Sequence, residues 1–450
     1  MLYQAKKLIR KLVPEFLISW YHYILVYLAA SFYHFPSRRL VVIGITGTKG
    51  KTTIAELLNS FLEKTGRQTA IVNSLRFKLG EKTWPNKLKM TMPGRFFIQK
   101  FLYQAVRKKI HYVILEVTSE GIKQHRHCFI DFDVAVLINL QPEHLEAHAN
   151  SFEKYRQTKE ELFQSLSSRK KTIPICERRG QFEQGVKKTS VVNLDDESAV
   201  YFLKHPADEK IGFSLKSKDA GANVLIQPKN IVFSSQGIAF ELEGLKFSSP
   251  LKGEFNLYNL LAAISAGRSL GIPLAVMKEA IAVFDGLPGR MEEIKEGQNF
   301  KIFVDFAHTP DSLTAVYKTF RQEAPPGKTR MICVLGSTGG GRDKWKRPAM
   351  GKVAAQYCDE IIITNEDPYD ENPRQIMEQI AVGVKLSKKN CRIIEDRQEA
   401  IKEGLKLCKN GDYFIITGKG SEQVMAVKDG QKIPWDDRKA VRKELKNLKK

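Results

Sequence analysis

The sequence predicts an α/β protein, with a P-loop-containing, doubly wound central ATPase domain and a C-terminal Rossmann-like α/β domain. Three observations carry that expectation. An apolar β-branched run opens into a Gly/Thr/Lys-rich turn and then an amphipathic stretch, VVIGITGTKGKTTIAELLN, from Val41 to Asn59. Apolar runs of strand length then alternate with helical patterns. The same alternation restarts beyond Phe300, after the turn-forming Leu287-Pro288-Gly289-Arg290.

At 450 residues the chain has room for two or three domains with substantial cores. Its 72 Lys and Arg against 50 Asp and Glu give a formal charge of +22, which favours anionic partners such as nucleotides, phosphorylated substrates or an acidic membrane surface. Nucleic acid is not expected, because the basic residues are dispersed and no RNA- or DNA-binding module is present. The six cysteines lack C-x-x-C spacing. That argues against a zinc site or a disulfide framework and for a reducing, cytoplasmic setting.

Residues 1–40 form a separate unit. Lys6, Lys7, Arg10 and Lys11 precede the uncharged FLISWYHYILVYLAASFYHF, Phe16 to Phe35, and Arg38-Arg39 follow it. About 20 apolar residues span a bilayer, yet the serine, histidines and amphipathic rings suit the headgroup level better. Three readings are ordered: a helix on a membrane surface or membrane partner, closely followed by a helix packed on the globular body, and then a transmembrane anchor. No small-residue cleavage site marks a signal peptide.

The turn after Val41–Thr46 is an anion cradle. Glycines let backbone N–H groups close around phosphate oxygens, the following helix points its positive end at them, Lys51 adds a point charge and a Thr hydroxyl can ligate Mg2+. The strict G-x-x-x-x-G-K-[ST] spacing is not met, since Ile45 stands five before Gly50, but Gly-Lys-Thr-Thr after an apolar strand disfavours an ordinary glycine turn. Tyr112–Val117 and Asp133–Leu140 read as buried parallel strands and Ser151–Ser165 as an amphipathic helix. Lys51, Glu116 and Asn139 then fall at the carboxyl ends of the strands, where doubly wound sheets bind ligands. Residues 221–250 read as a small antiparallel addition. Ile302–Phe306, Met331–Gly336, Glu360–Asn365, Arg392–Glu395 and Tyr413–Thr417 read as the strands of the second domain. The domains are expected at 1–40, 41–290 and 291–450.

Glu116 ends an apolar strand, so it is either a solvated strand tip or a metal ligand, the latter favoured by the Gly-Lys-Thr loop. His144 lies just past another strand end; a lone histidine is more often structural. Lys159, four residues beyond Tyr155 on a helix, reads by itself as a solvated surface lysine.

Read together and in order, Gly47-Thr-Lys-Gly-Lys-Thr-Thr, LEVTSEGIKQHR, NLQPEHLEAHANSFEKYRQTKEELF, LKGEFNLYNLLAA, LPGRMEEI, VDFAHTPDSL, GGGRDKWKRPAMG and TGKGSEQ resemble the Mur ligase family, and within it the UDP-N-acetylmuramoyl-tripeptide synthetases. The resemblance runs from about residue 40 to 440. It implies an ATP-dependent amide ligase: a carboxylate of a UDP-muramoyl-dipeptide takes the γ-phosphoryl group of ATP, and an amino acid's amine displaces phosphate from the acyl phosphate. Positioning and charge neutralisation carry such catalysis. The resemblance implies ATP binding by Gly47, Thr48, Lys49, Gly50, Lys51, Thr52 and Thr53. It places Mg2+ on Thr52 and Glu116, and a second Mg2+ on Glu116, His144 and a carbamylated Lys159. Asn256 and Asn259 match the adenine side, and Arg290, Asp305 and His308 match groups contributed across an interdomain cleft, His308 being counted as catalytic. Thr91, Met92 and Pro93, with Thr118, Gln124 and Arg126, match contacts to the muramoyl peptide. Arg342, Gly418 and Glu422 match positions for the incoming amino acid.

Departures from the pattern bear on specificity. Members that add meso-diaminopimelate carry Asp-Asn-Pro-Arg, whose arginine grips the distal carboxylate; here Glu366-Asp367-Pro368-Tyr369 stands there, so a lysine-like amino acid is as compatible as diaminopimelate. Glu120 and Ser421 replace family histidines. The family's N-terminal uridine-nucleotide-binding domain is replaced by the basic, aromatic segment, which leaves room for a UDP-linked or a membrane-linked acceptor and for peripheral membrane contact through residues 1–40. The alternatives are a related carboxylate–amine ligase of the folylpolyglutamate or cyanophycin synthetase kind, disfavoured by AHTPDSL and GGGRDKWKRP, and a membrane-associated P-loop ATPase or a ligase-derived binding protein without ligase chemistry.

Overall fold

A computed structural model describes residues 13–88, 90–143, 145–167, 186–216, 221–324, 327 and 329–448. His144, expected at the metal site, lies outside the described residues. The chain divides into two compact units, Met1–Phe284 and Asp285–Lys450.

The first unit opens with helix α1 (Glu15–Phe32) and strand β1 (Val41–Thr46), which leads into α2 (Lys51–Lys64). There follow β2 (Thr69–Val72), β3 (Arg76–Leu79), β4 (Lys82–Pro85), α3 (Arg95–Arg107), β5 (Tyr112–Glu116), α4 (Ser119–Lys123), β6 (Val134–Leu137) and α5 (Phe152–Gln164). Then come β7 (Thr189–Asn193), α6 (Ala199–Leu203), β8 (Glu209–Phe213), β9 (Val224–Ile226), β10 (Lys229–Ser234), β11 (Gly237–Leu242), β12 (Leu245–Ser249), α7 (Glu254–Ser269) and α8 (Leu274–Ala282). Among the described residues nine strands form one sheet in the order β4-β3-β2-β5-β1-β6-β7-β8-β9. It is parallel except for the β2-β3-β4 meander at one edge.

Strand side chains alternate between the two faces of a sheet, and β1 shows why it is apolar throughout. Val41, Ile43 and Ile45 join one core with Ile54 and Leu58 of α2 and Leu261 of α7, while Val42 joins a second core with Phe132 and Leu162. Each buried aliphatic side chain of this kind contributes about 1.5–3 kcal/mol. The strand expected over Asp133–Leu140 is shorter, because Asp133 accepts a hydrogen bond from the Val42 amide and Asn139 turns out of the sheet to accept one from the Thr48 amide. In the 221–250 stretch, β9 extends the parallel sheet and only β10, β11 and β12 make the separate antiparallel sheet.

Helix α1 buries Val26, Ala29 and Ala30 and packs on α3. Among the described residues no helix is long and apolar enough to cross a membrane, so α1 does not meet the transmembrane expectation.

The second unit contains β13 (Glu292–Glu293), β14 (Lys301–Asp305), α9 (Pro310–Glu323), β15 (Met331–Leu335), α10 (Lys346–Tyr357), β16 (Glu360–Ile363) and α11 (Pro373–Leu386). It continues with β17 (Arg392–Ile393), α12 (Arg397–Leu407), β18 (Tyr413–Thr417), the hairpin strands β19 (Val424–Ala426) and β20 (Lys432–Pro434), and α13 (Asp437–Leu448). Its main sheet runs β13-β14-β18-β15-β16-β17, parallel apart from β13. Arg397 is buried at the start of α12 and donates to both carboxylate oxygens of Asp437 and to the Thr417 carbonyl, tying the last helix to the end of β18. The cysteine expectation needs correction here, since Cys333 and Cys358 form a disulfide. They lie 25 residues apart, and the parallel pairing of β15 with β16, which begins two residues after Cys358, brings them together.

Candidate active site

The phosphate loop is held open by its neighbours. Gly50 has φ 88°, and a Cβ there would lie 2.2 Å from Asn259 Oδ1. Glycine is therefore required both by conformation and by the approach of α7. Asn259 in turn donates to Asn256 Oδ1 at 2.9 Å. Across the loop, Asn139 Oδ1 accepts from the amides of Thr48 (3.1 Å) and Lys49 (2.9 Å). Lys51 Nζ lies back over the loop, donating to the carbonyls of Gly47 (2.9 Å) and Thr48 (3.0 Å). Lys49 pairs with Glu143 at 2.8 Å.

At the carboxyl end of β5, Glu116 is 1 % exposed. One carboxylate oxygen accepts from the Ser74 amide at 3.3 Å, and the Ser74 hydroxyl lies 2.9 Å from Thr52 Oγ1. Ser74, which follows β2 at the neighbouring strand end, thus connects the two expected metal ligands. The sequence reading missed it; the available signal was its place one strand over from Glu116. Thr52, Ser74 and Glu116 offer only oxygen donors, the set a hard divalent cation prefers.

Lys159 overturns its reading as a surface lysine. It is 2 % exposed and its Nζ donates to the Gly47 carbonyl at 3.0 Å, close to Thr46 Oγ1 (3.4 Å) and 4.9 Å from the ring centroid of Tyr155. Burial, reinforced by the charge of Lys51, holds its pKa well below the ordinary lysine value, against the opposing pull of Glu143. Tyr155 OH lies 3.2 Å from Thr48 Oγ1, so α5 braces the loop at two points.

The expected acceptor residues also converge. Thr118 caps α4, its hydroxyl accepting from the Gly121 amide at 3.1 Å. Arg126 is buried, with its guanidinium donating to the Met92 carbonyl and to Gln124 Oε1, and burial lowers its pKa. Thr91 sits half-buried beside Met92.

In the second unit, Asp305 ends β14 and accepts from the amides of Met291 (2.8 Å) and Ala307 (2.6 Å). Arg290 lies 4.2 Å above the ring of Phe306, and the ring of His308 meets the same phenyl edge-on at 4.6 Å. Arg290, Asp305 and His308 are thus brought together around Phe306. Gly418, at φ 112°, donates to the Asp305 carbonyl and faces Glu366 Oε2 so closely that a Cβ would lie 2.7 Å from it.

Beyond Gly418, the fully buried Lys419 donates to Asp367 Oδ1 (2.8 Å) and Glu422 Oε2 (2.5 Å). This ammonium, absent from the sequence-based expectation, links both acidic candidates. Tyr369 lies beside it on a backbone with φ 52°; burial raises the Tyr369 pKa, and the charge of exposed Arg342 opposes that rise.

The models of two families match the chain, the Mur ligase middle domain over residues 45–267 and the Mur ligase glutamate ligase domain over 289–420. The UDP-N-acetylmuramoyl-L-alanyl-D-glutamate–2,6-diaminopimelate ligase of Syntrophomonas wolfei is 35% identical over 427 residues, covering 94% of this chain and 81% of the relative. A solved structure of a ligase bearing the same name is 29% identical with a TM-score of 0.58, covering 91% of this chain and 79% of that one. A folylpolyglutamate synthase from Mycobacterium tuberculosis shares the fold, with a TM-score of 0.64 over 87% of this chain and 91% of the other at 16% identity.

Proposed function

We infer the reaction from one premise: the chain belongs to the Mur ligase family and is an ATP-dependent, ADP-forming amide ligase. It joins an amino acid to a UDP-N-acetylmuramoyl-dipeptide in the synthesis of peptidoglycan precursors. The observation that carries the reading is Lys159, buried against Gly47, where burial lowers the pKa of its amine. A P-loop enzyme that only hydrolyses ATP has no need of such a group.

Lys51 and the loop amides from Gly47 to Thr53 hold the triphosphate, and Asn256 and Asn259 support the nucleotide beside Gly50. Thr52, Glu116 and Ser74 supply oxygen donors that would hold Mg2+, whose chemistry there would be to neutralise phosphate charge. Neutral Lys159 can add to CO2, forming an N–C bond and losing a proton, and the resulting carbamate is an anion fit to stand near a cation. Met92, Thr118, Gln124 and Arg126 orient the acceptor.

The acceptor carboxylate oxygen attacks the γ-phosphorus and ADP leaves. The incoming amine nitrogen then attacks the acyl carbon, phosphate departs with the former acyl oxygen, and the amine loses a proton. His308, fixed by Phe306, and Arg290 and Asp305 belong to the second unit's share of this chemistry.

The incoming substrate is a diamino acid. Arg342 suits its α-carboxylate. Asp367 and Glu422, both bonded to Lys419, set carboxylates beside Tyr369 that suit a distal ammonium, and Tyr369 offers no cation for a second carboxylate. Peripheral membrane contact through residues 1–40 belongs to the same reading and is supported by the exposed aromatic face of α1.

The test is ADP and phosphate release with UDP-N-acetylmuramoyl-L-Ala-D-Glu and a panel of amino acids, with products read by mass. Release that requires both acceptor and amino acid, with a tripeptide product, is expected. ATP hydrolysis independent of the acceptor would overturn the reading.

A further inference from the structure

Helix α1 carries too much exposed apolar surface for a helix that is finished by packing on its own unit. Its inner side is accounted for. Val26, Ala29 and Ala30 are buried, Ser19 Oγ lies 2.7 Å from His125 Nε2, His22 meets Arg95, and Tyr23 and Tyr27 pack on Phe129. The other side presents Phe16, Trp20, Ile24, Leu28 and Phe32, spaced four residues apart and 64, 67, 46, 50 and 70 % exposed. Side chains at i, i+4 stack along one face, so these five make a continuous stripe. Apolar patches of this kind mark interaction surfaces.

The charges on α1 and on the segments that follow it and pack against it point to its partner. Glu15, at the first turn, is the helix's sole charged residue. Beyond the other end Arg38 and Arg39 are exposed, and so are Lys100, Arg107, Lys108 and Lys109 on and just after α3, the helix that α1 packs against. Four more cations, Lys6, Lys7, Arg10 and Lys11, precede α1 in the sequence. A second copy of the chain would bring the same cations face to face. An acidic surface with an apolar layer beneath it satisfies both the charge and the stripe, and Trp and Tyr rings favour the boundary between the two.

We propose that the Phe16–Phe32 stripe of α1 lies in the headgroup region of an anionic lipid bilayer, parallel to its surface, with the exposed Arg38 and Arg39 that follow it on lipid phosphates. This rests on, and deepens, the reading of a membrane-peripheral ligase. It also has a geometric corollary: α1 is joined through His125 and Arg95 to the two loops that carry Arg126 and Met92, so the acceptor-binding residues would be held close to the lipid surface.

The experiment uses the full chain and two sets of vesicles, pure phosphatidylcholine and phosphatidylcholine with about one third phosphatidylglycerol. Co-sedimentation and a blue shift of tryptophan emission are expected with the acidic vesicles only, weakened by added salt as headgroup screening requires. The double substitution Trp20→Glu, Leu28→Glu alters two exposed positions and should weaken binding about tenfold or more, leaving the melting temperature and turnover of the soluble acceptor as they were. The single substitution Leu28→Ser serves as the check should the double variant fold poorly. Native protein that stays in the supernatant with acidic vesicles would overturn the proposal. So would light scattering that shows a dimer dissociated by the same substitutions, which would assign the stripe to a second copy. Vesicle binding without ligase turnover would retain the docking and remove the ligase reading; the converse would do the opposite.

Discussion

The Nζ of Lys159 donates to the carbonyl oxygen of Gly47 at 3.0 Å, which ties a fully buried amine on α5 to the first residue of the phosphate loop. The contact braces the loop, a role separable from the carbamate proposed for the same amine.

Replacing Lys159 by Ala is expected to lower kcat by on the order of 10²–10³-fold, with partial recovery on adding acetate or another short carboxylate. Lys159→Met, which keeps the stem without the amine, should melt no lower than the native chain, because a buried amine costs desolvation that a thioether does not. Steady-state turnover beside thermal melts separates the roles. Normal turnover in Lys159→Ala would remove the carbamate from the mechanism.

Ser74 stands between Thr52 and Glu116. Ser74→Ala deletes a hydroxyl that is only partly buried, so stability should change little, while the Mg2+ concentration needed for half-maximal turnover should rise about tenfold. A change confined to the amino-acid KM would place Ser74 outside the metal region.

Specificity should follow Tyr369 and Lys419. Lysine is expected to be used in preference to meso-diaminopimelate, and Tyr369→Arg should move the ratio of kcat/KM values about tenfold toward diaminopimelate by offering its second carboxylate a guanidinium. Lys419→Met should cost about 3 kcal/mol of stability, since it leaves Asp367 buried without its ammonium. Urea unfolding measures that loss. Equal use of the two amino acids by the native enzyme would contradict the pocket assignment.

His127 and Glu161 face each other at 3.5 Å and should oppose one another in the pH dependence of stability. Burial lowers His127 from 6.5 to about 4; its contribution is present above 6.5 and lost as pH falls toward 4. Burial raises Glu161 from 4.5 to about 7; its contribution is present below 4.5 and lost as pH rises through 7. Between 4.5 and 6.5 the two slopes cancel. Relative to the native chain, His127→Gln should lose stability as pH rises from 4 to 6.5, and Glu161→Gln should gain it as pH rises from 4.5 to 7. Denaturant titrations across that range would show parallel curves if the assignment is wrong.

Periodicity and turn chemistry made the strands legible: β1, β5 and β18 lie where apolar runs meet glycine-rich or polar ends. The loop from Gly47 to Thr53 was legible for the same reason. Burial of Lys159 was not, because one face of an amphipathic helix looks alike whether the residue beneath it is a core aliphatic or the underside of a phosphate loop. Ser74 and Lys419 escaped notice because their partners arrive from other strands: Ser74 meets Glu116 42 residues later, and Lys419 meets Asp367 52 residues earlier. The disulfide between Cys333 and Cys358 follows the same logic, since spacing within the chain says nothing of a pairing made by packing. The outward stripe of α1 was visible as composition, but which rings face out depended on where α3 sits.

The central place of β1 in its sheet also sets an order of events during synthesis. β1 pairs with β5 on one side and β6 on the other, so the strand that carries the nucleotide loop leaves the ribosome with neither neighbour made. At about 5–20 residues per second, Val41–Thr46 waits several seconds for Tyr112–Glu116 and longer for Val134–Leu137. During that interval an apolar, β-branched strand stands unpaired behind an aromatic helix, a state that a chaperone would shield.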